Sequence, residues 1–455
     1  MAIPVIAIFD IGKTNKKLFL LDRSYSIVFE KSESLTETID PDGDPCENLE
    51  SLQQFVHIGL QHVLSLSDFS VKAVNCSAYG ASLVYIDDAG QVIAPLYNYL
   101  KPYPSSLQKK FFETHGGEHV LSFQTASPVL GSLNSGLQLY RIKHEQPALY
   151  ERIRYALHLP QYIAYLLSGQ AFSEMTSIGC HTFLWDYRSN DYHAWVKREG
   201  LTSKLPEVAP SDLVVDSPGA SDRYVVGIGL HDSSAALIPY LVTFDEPFAL
   251  ISTGTWAISL NPFNTAPLTR QELECDCLSY MQYRGTPVKA SRLFIGHHHD
   301  VQCKRLAEHF HQDERRYGEM AFDREILSKI DYSFEITAEP KQLLQNLRFE
   351  NRELSSFEND AHAYHQLMYD LVVQQFVSTQ LIVRGTGVKK IFVDGGFSRN
   401  EVYMNLLAKF FPEMEVYASA VPQASAIGAA LAIHDTWNDG ALPSILELKR
   451  YHIRS

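Results

Sequence analysis

Three apolar runs in this chain each end in a turn of small or polar residues. They are Val5–Phe9 before Asp10-Ile-Gly-Lys-Thr14, Phe248–Ile251 before Ser252-Thr-Gly-Thr-Trp256, and Ile391–Val393 before Asp394-Gly-Gly-Phe-Ser-Arg-Asn400. β-Branched and aromatic residues in short runs form strands. The third run constrains the fold most. Its two adjacent glycines, Gly395 and Gly396, lack Cβ atoms and let a flat group lie against the backbone. Ser398 and Glu401 stand at capping-box spacing, and Val402, Leu406 and Leu407 then give a helical apolar stripe. The expectation is therefore strand, glycine turn, helix. One such turn is a common structural device; three in one chain are what a split ATP site needs.

The length of 455 residues exceeds one ordinary core, so two or three domains are expected. Val5–Phe9 and Leu18–Leu21 read as a hairpin around the polar turn Asp10–Lys17, and Phe248–Leu260 repeats that pattern. This weak internal duplication puts an N-terminal domain at 1–243 and a C-terminal domain at 244–455 of an α/β chain. Between these signals lie a helix near Leu49–Leu66, a hairpin of Val84–Ile86 with Val92–Ile93, and a helical pattern from Gly131 to Ser168. Tyr224–Leu230 reads as a strand running into Asp232 and an Ala-rich helix. The polar tract from Glu314 to Glu358 reads as surface helices, Lys389–Val393 as a core strand, and Gln423–Ala432 as a small-residue helix suited to close packing on a sheet or on the glycine turn.

A net charge of −14 argues against nucleic acid or an anionic membrane surface as partner. No apolar run reaches the length of a membrane span. Six unevenly spaced cysteines and an N-terminus without a basic leader point to a reducing cytoplasm.

Gly12-Lys-Thr14 looks like the end of a P-loop, but that motif needs a glycine where Ala7 stands inside the strand. Two readings stay open at this turn. In one, turn amides and the Thr14 hydroxyl meet phosphates while Asp10 holds Mg²⁺; in the other, the turn is a plain tight hairpin. Asp232 sits where a strand becomes a helix. An aspartate there serves as a helix cap, and the same rigid carboxylate can accept the proton of a hydroxyl attacking phosphorus. His297-His298-His299, with Cys303 and the pair Cys275 and Cys277, lack zinc-site spacing and read as polar residues of a helix start.

In this order, Asp10 to Lys17, His231-Asp232, Ser252 to Trp256, Gly395 to Asn400 and Ala424 to Ala432 resemble the FGGY carbohydrate kinases of the actin-like ATPase superfamily. His231-Asp232 and Leu293-Phe-Ile-Gly296 bring the chain nearest the rhamnulokinase and fuculokinase branch. The resemblance implies two ribonuclease-H-like domains with an interdomain cleft where ATP and a sugar meet. It implies that Asp232 is the catalytic base. Asp10, Gly12, Lys13 and Thr14 match the first phosphate turn, with Asp10 toward the metal, and Thr253, Gly254 and Thr255 match the second. Gly395, Gly396 and Asn400 match the adenosine motif; Tyr79, Tyr97, Asn98 and His231 are the expected sugar contacts. The expected activity is transfer of the ATP γ-phosphoryl group to a ketose such as L-fuculose, L-rhamnulose or a pentulose. The alternatives are a non-ketose polyol or cyclitol kinase, or a silent ATP- or sugar-binding sensor; a homodimer is among the assemblies such kinases adopt. This chain departs from the family at Lys13, where a small residue is usual, and at Tyr99 and Lys101, in place of an aspartate and an arginine. It departs again around Gln138-Leu-Tyr-Arg141, where the family's lysine and tryptophan are missing, and at Gln423, where glutamate is frequent.

Overall fold

The computed structural model describes residues 2–217, 224–333, 339–421, 423–442 and 445–452. Two compact units emerge: residues 1–243 with 279–287 and 423–445, and residues 244–278 with 288–422 and 446–455. The units are thus not contiguous in sequence. Ser279–Pro287 and the small-residue helix belong with the first.

The sheet of the first unit runs in the order Val214–Asp216, Val225–Gly227, Phe69–Ala78, Ile3–Ile11, Lys16–Asp22, Ile27–Glu33, and Leu230–His231 also pairs with Phe69–Ala78. Ile3–Ile11, Lys16–Asp22 and Ile27–Glu33 form an antiparallel meander, while Phe69–Ala78 lies parallel to Ile3–Ile11. Val5 to Phe9 are all buried, as befits a central strand covered on both faces. Alternation of side chains divides the faces. Val74 and Cys76 point into a cluster with the helices Leu49–Ser65 and Leu159–Ser168. Asn75, between them, points the other way and donates to the Ala429 carbonyl of helix Ala424–Ala432 at 2.8 Å. A Cβ on Gly428 would overlap the Ala235 carbonyl. That absent methyl lets helix Ala424–Ala432 lie directly on helix Asp232–Thr243, so its small residues face this helix as well as the sheet.

The second unit repeats the plan. Its sheet runs Cys277–Met281, Pro287–Leu293, Ala257–Asn261, Phe248–Thr253, Lys390–Gly395, Glu415–Ala420, Glu447–Tyr451. Phe248–Thr253 pairs antiparallel with Ala257–Asn261 and parallel with Lys390–Gly395, as Ile3–Ile11 does with its own neighbours. The 24-residue helix Asp360–Val383, capped by Asn359, is buried along most of its length. Among the described residues, no helix is long and apolar enough to cross a membrane.

Four local expectations are corrected. Asn400, not Ser398, caps helix Glu401–Phe410 by accepting the Tyr403 N–H; Ser398 lies in a 3-10 turn, Gly396–Arg399, and donates to the Gly395 carbonyl. The region 131–168 is not continuously helical, because Tyr155–His158 forms a strand antiparallel to Leu83–Ile86. The expected hairpin is reduced to an isolated bridge of Val92 to Ile86 and the Ile93 N–H on the Tyr85 carbonyl at 3.0 Å. Tyr224–Leu230 breaks into two short strands at Gly229, whose φ of +78° and approach to the Pro160 carbonyl leave no room for a side chain. The polar tract carries short helices at Arg315–Gly318, Arg324–Leu327 and Pro340–Gln345, and its residues 334–338 lie outside the described residues.

Candidate active site

Asp10 ends the strand Ile3–Ile11, and Asp232 follows the strand Leu230–His231; both strands are parallel to Phe69–Ala78 between them. The two carboxylates therefore leave the sheet at the same edge, about 10 Å apart across two strand spacings. Asp10 Oδ1 accepts the hydroxyls of Ser77 at 2.6 Å and Ser425 at 2.8 Å. Burial pushes its carboxyl above the ordinary range, the two hydroxyls pull it back, Asp232 adds a small upward push and Lys17 a small downward one. Asp232 is half-buried. Its Oδ1 accepts the Ser233 N–H at 2.6 Å and the Ser233 hydroxyl at 3.2 Å, and lies 3.3 Å from His231 Nε2. All three contacts fall on one carboxylate oxygen. The His231 ring stacks on Tyr280, faces the Cys180 Sγ at 3.4 Å, and is held below the usual imidazole range by burial. Its Nδ1 is buried with no hydrogen-bond partner among the described residues.

The first turn closes through the Gly12 N–H on the Asn15 carbonyl at 3.0 Å, with Thr14 exposed. Lys13 pairs with Glu37 at 2.8 Å and lies over the Tyr79 ring. Beneath it, the buried Lys16 ammonium donates to the Lys13 carbonyl at 3.0 Å and pairs with Glu47 at 2.8 Å. Tyr79 donates its hydroxyl to the same Glu47 at 3.0 Å, so this expected sugar contact supports the turn from below.

Tyr97 and Asn98 line a small cavity with Lys101, Tyr103, Ser132, Gln138 and Arg141. Asn98 shapes a tight turn, its Oδ1 accepting the Leu100 N–H and its carbonyl the Lys101 N–H. Lys101 is not a free cation. It is buried among Asp40, Asp42 at 2.8 Å and Asp44 at 3.0 Å. Those carboxylates hold its ammonium above the usual lysine range, and it in turn keeps Asp40 and Asp42 below theirs.

In the second unit, Thr253 is buried. Its hydroxyl donates to the Asp394 carbonyl and accepts the Phe397 N–H at 3.0 Å. It therefore ties the strand end to the glycine turn. A Cβ on Gly395, which has φ +84°, would overlap the Thr253 carbonyl, whereas one on Gly396 would meet nothing within 4 Å among the described residues. This turn presents a bare, open face at Gly396, as a flat base requires. Gly254 and Thr255 are exposed in a turn closed by the Gly254 N–H on the Trp256 carbonyl, and Gly296 packs on that turn with no room for a methyl. Asn400 is buried, and besides capping its helix it donates Nδ2 to the Tyr364 hydroxyl at 2.7 Å.

The three histidines diverge. His297 stacks on Phe294, His298 faces Glu350 at 3.3 Å, and His299 contacts the Tyr364 hydroxyl and the Cys303 Sγ. Among the described residues, no group of three or more His, Cys, Asp or Glu could hold a metal ion. The sequence assigns no role to Ser77, Ser425, Gly80 and Tyr280, and marks Gly296 only as part of a family motif. Each acts only through a partner distant in the chain, and the glycines alone carry a signal in their residue type.

The FGGY family N-terminal carbohydrate kinase domain matches residues 5–237, and the FGGY C-terminal carbohydrate kinase domain matches residues 245–441. Rhamnulokinase from Yersinia pestis (strain Pestoides F) is 23% identical over 248 residues, 51% of this chain and 48% of that protein. Rhamnulokinase from Mannheimia succiniciproducens is 23% identical over 275 residues, 57% of this chain and 54% of that protein. The chain thus spans about half the length of the curated relatives it matches. A carbohydrate kinase from Novosphingobium aromaticivorans superposes with TM-score 0.78 at 21% identity, covering 99% of this chain and 95% of that one. A Plasmodium falciparum glycerol kinase with ADP superposes with TM-score 0.73 at 14% identity, covering 96% and 90%. These superpositions establish the shared fold. With the two domain matches spanning most of its length, the chain belongs to the FGGY family of carbohydrate kinases.

Proposed function

We propose that this chain is an ATP-dependent kinase that phosphorylates a hydroxyl of a ketose of the L-rhamnulose, L-fuculose or pentulose kind. The observation that carries the reading is the pair Asp10 and Asp232, fixed at the carboxyl ends of parallel strands of one sheet. Asp232 orients the attacking hydroxyl and accepts its proton; with a loose phosphoryl-transfer transition state, positioning and late proton transfer suffice. His231 is neutral at physiological pH and stands beside Asp232 as the candidate sugar contact. The Lys13, Thr14 and Thr255 backbone amides take phosphate oxygens, since those of Gly12 and Gly254 already close the turns, and the open face at Gly396 takes the adenine. Thr253 and Asn400 hold those turns in shape through the contacts above. Asp10, in an oxygen-only setting, suits Mg²⁺, which when bound neutralises phosphate charge. Six free, buried cysteines suit a reducing cytoplasm as the place of the reaction.

The test is ADP release with Mg²⁺–ATP across ketoses, deoxyketoses and polyols, for the parent and for Asp232→Asn. One sugar should give turnover in the parent, and the variant should lose at least about a hundredfold in kcat while still binding ATP. Near-normal turnover by Asp232→Asn would sink this mechanism.

A further inference from the structure

Asp232 follows a strand only two residues long, Leu230–His231. On one side that strand pairs with Phe69–Ala78 through Leu230 and His231. On the other side the His231 N–H donates 2.9 Å to the Thr176 hydroxyl. The same hydroxyl donates 2.6 Å to Glu174 Oε2. Glu174 is wholly buried, and among the described residues no cation pairs with it. Its oxygens are met instead by four donors: the Thr176 hydroxyl, the Ser211 hydroxyl, the Thr176 N–H at 2.9 Å and the Ser177 N–H at 3.2 Å.

Helix capping explains only part of this. The two N–H groups of the four-residue helix Met175–Ile178 would satisfy an ordinary cap. A hydroxyl has one proton, however, and Glu174 takes that of Thr176, so the Thr176 lone pairs must face outward, where one of them receives the His231 N–H. A neutral amide at position 174 would present N–H groups to some of these donors and leave the Thr176 hydroxyl without a defined direction.

We propose that Glu174 and Thr176 are positioning residues for Asp232, a two-link relay that sets the direction of the strand end from which the carboxylate projects. This rests on the reading of Asp232 as the base. The relay holds the His231–Asp232 strand end and lies apart from the nucleotide turns, so its loss should appear in kcat and not in the affinity for ATP. Displacing a reacting group by about 1 Å can cost about a hundredfold, so loss of one link should cost between about tenfold and about a hundredfold.

The experiment compares steady-state kinetics of the parent with Thr176→Val, Thr176→Ser and Glu174→Gln, each checked for the parent's circular dichroism. The expected result is a kcat loss in Thr176→Val and Glu174→Gln, nearly unchanged KM for ATP, and recovery in Thr176→Ser, which keeps the hydroxyl. If Thr176→Val fails to fold, Glu174→Gln is read against the same expectation. Parent-like kcat in both variants would overturn the relay, as would a Thr176→Ser enzyme no better than Thr176→Val. An inactive parent would instead refute the proposed function, and an active Asp232→Asn would refute the base itself.

Discussion

Gly80→Ala tests the sugar side of the site with a single methyl. A Cβ at position 80 would stand 2.8 Å from both Cδ2 and Nε2 of His231. Ordinary contact begins at 3.4 Å, so the ring must retreat by about 0.6 Å. It has little freedom to do so, since its other neighbours are the stacked Tyr280 and the Cys180 Sγ. The retreat moves Nε2 relative to Asp232 Oδ1, now 3.3 Å away. At about a hundredfold per 1 Å of misplacement, 0.6 Å corresponds to about a fifteenfold loss in kcat/KM for the sugar. Overpacking costs about 1–3 kcal/mol, and the stiffer unfolded chain of alanine returns about 0.4–1 kcal/mol. The net of about 1 kcal/mol lowers Tm by about 2–4 °C. Steady-state kinetics with the sugar and ATP varied separately, beside a thermal melt, read both effects. The KM for ATP should hold. A variant indistinguishable from the parent in sugar kcat/KM would show that His231 has no geometric role, and the argument for it would fail.

Lys101→Met should destabilise the protein by about 3 kcal/mol, because it leaves Asp40 buried without its partner. Sugar KM in the surviving enzyme should change little; a stable variant that has lost the sugar would instead make Lys101 a substrate contact. His158 is buried, shares a 3.0 Å hydrogen bond with Ser135, and is pushed down to about 3 by burial. Its folded pKa lies below the unfolded value near 6.5, so the unfolded chain binds the extra proton. This stability is present above about pH 6.5 and falls by about 1.4 kcal/mol per pH unit down to about pH 3. Denaturant melts from pH 7 to pH 4 should therefore be less steep in pH for His158→Gln than for the parent. Equal slopes would show that His158 does not stay neutral in the fold.

The strand–turn units were legible because their signals are local. A β-branched run, a carboxylate and a glycine within ten residues suffice to mark Asp10, Thr253 and Gly395, and helix Leu49–Ser65 announced itself by its apolar stripe. The same locality explains the misses. Ser398 and Glu401 satisfy a capping pattern on paper, yet the two glycines before them start a 3-10 turn that hands the cap to Asn400. Tyr155–His158 is too short to show a period of its own, and its strand identity comes from Leu83–Ile86, some seventy residues earlier.

The amino-acid sequence by itself determined the α/β class, the duplicated hairpins, the family and the position of Asp232, because each depends on residue types near one another in the chain. Tertiary structure alone decided what the polar side chains do. Lys13 turned to Glu37, Lys101 to three aspartates, Tyr79 to Glu47 and Thr253 to the glycine turn. A buried polar group must find a partner wherever the fold supplies one. Those partners stand at sequence separations that no periodicity encodes, as with Ser425, which reaches Asp10 from the far end of the chain.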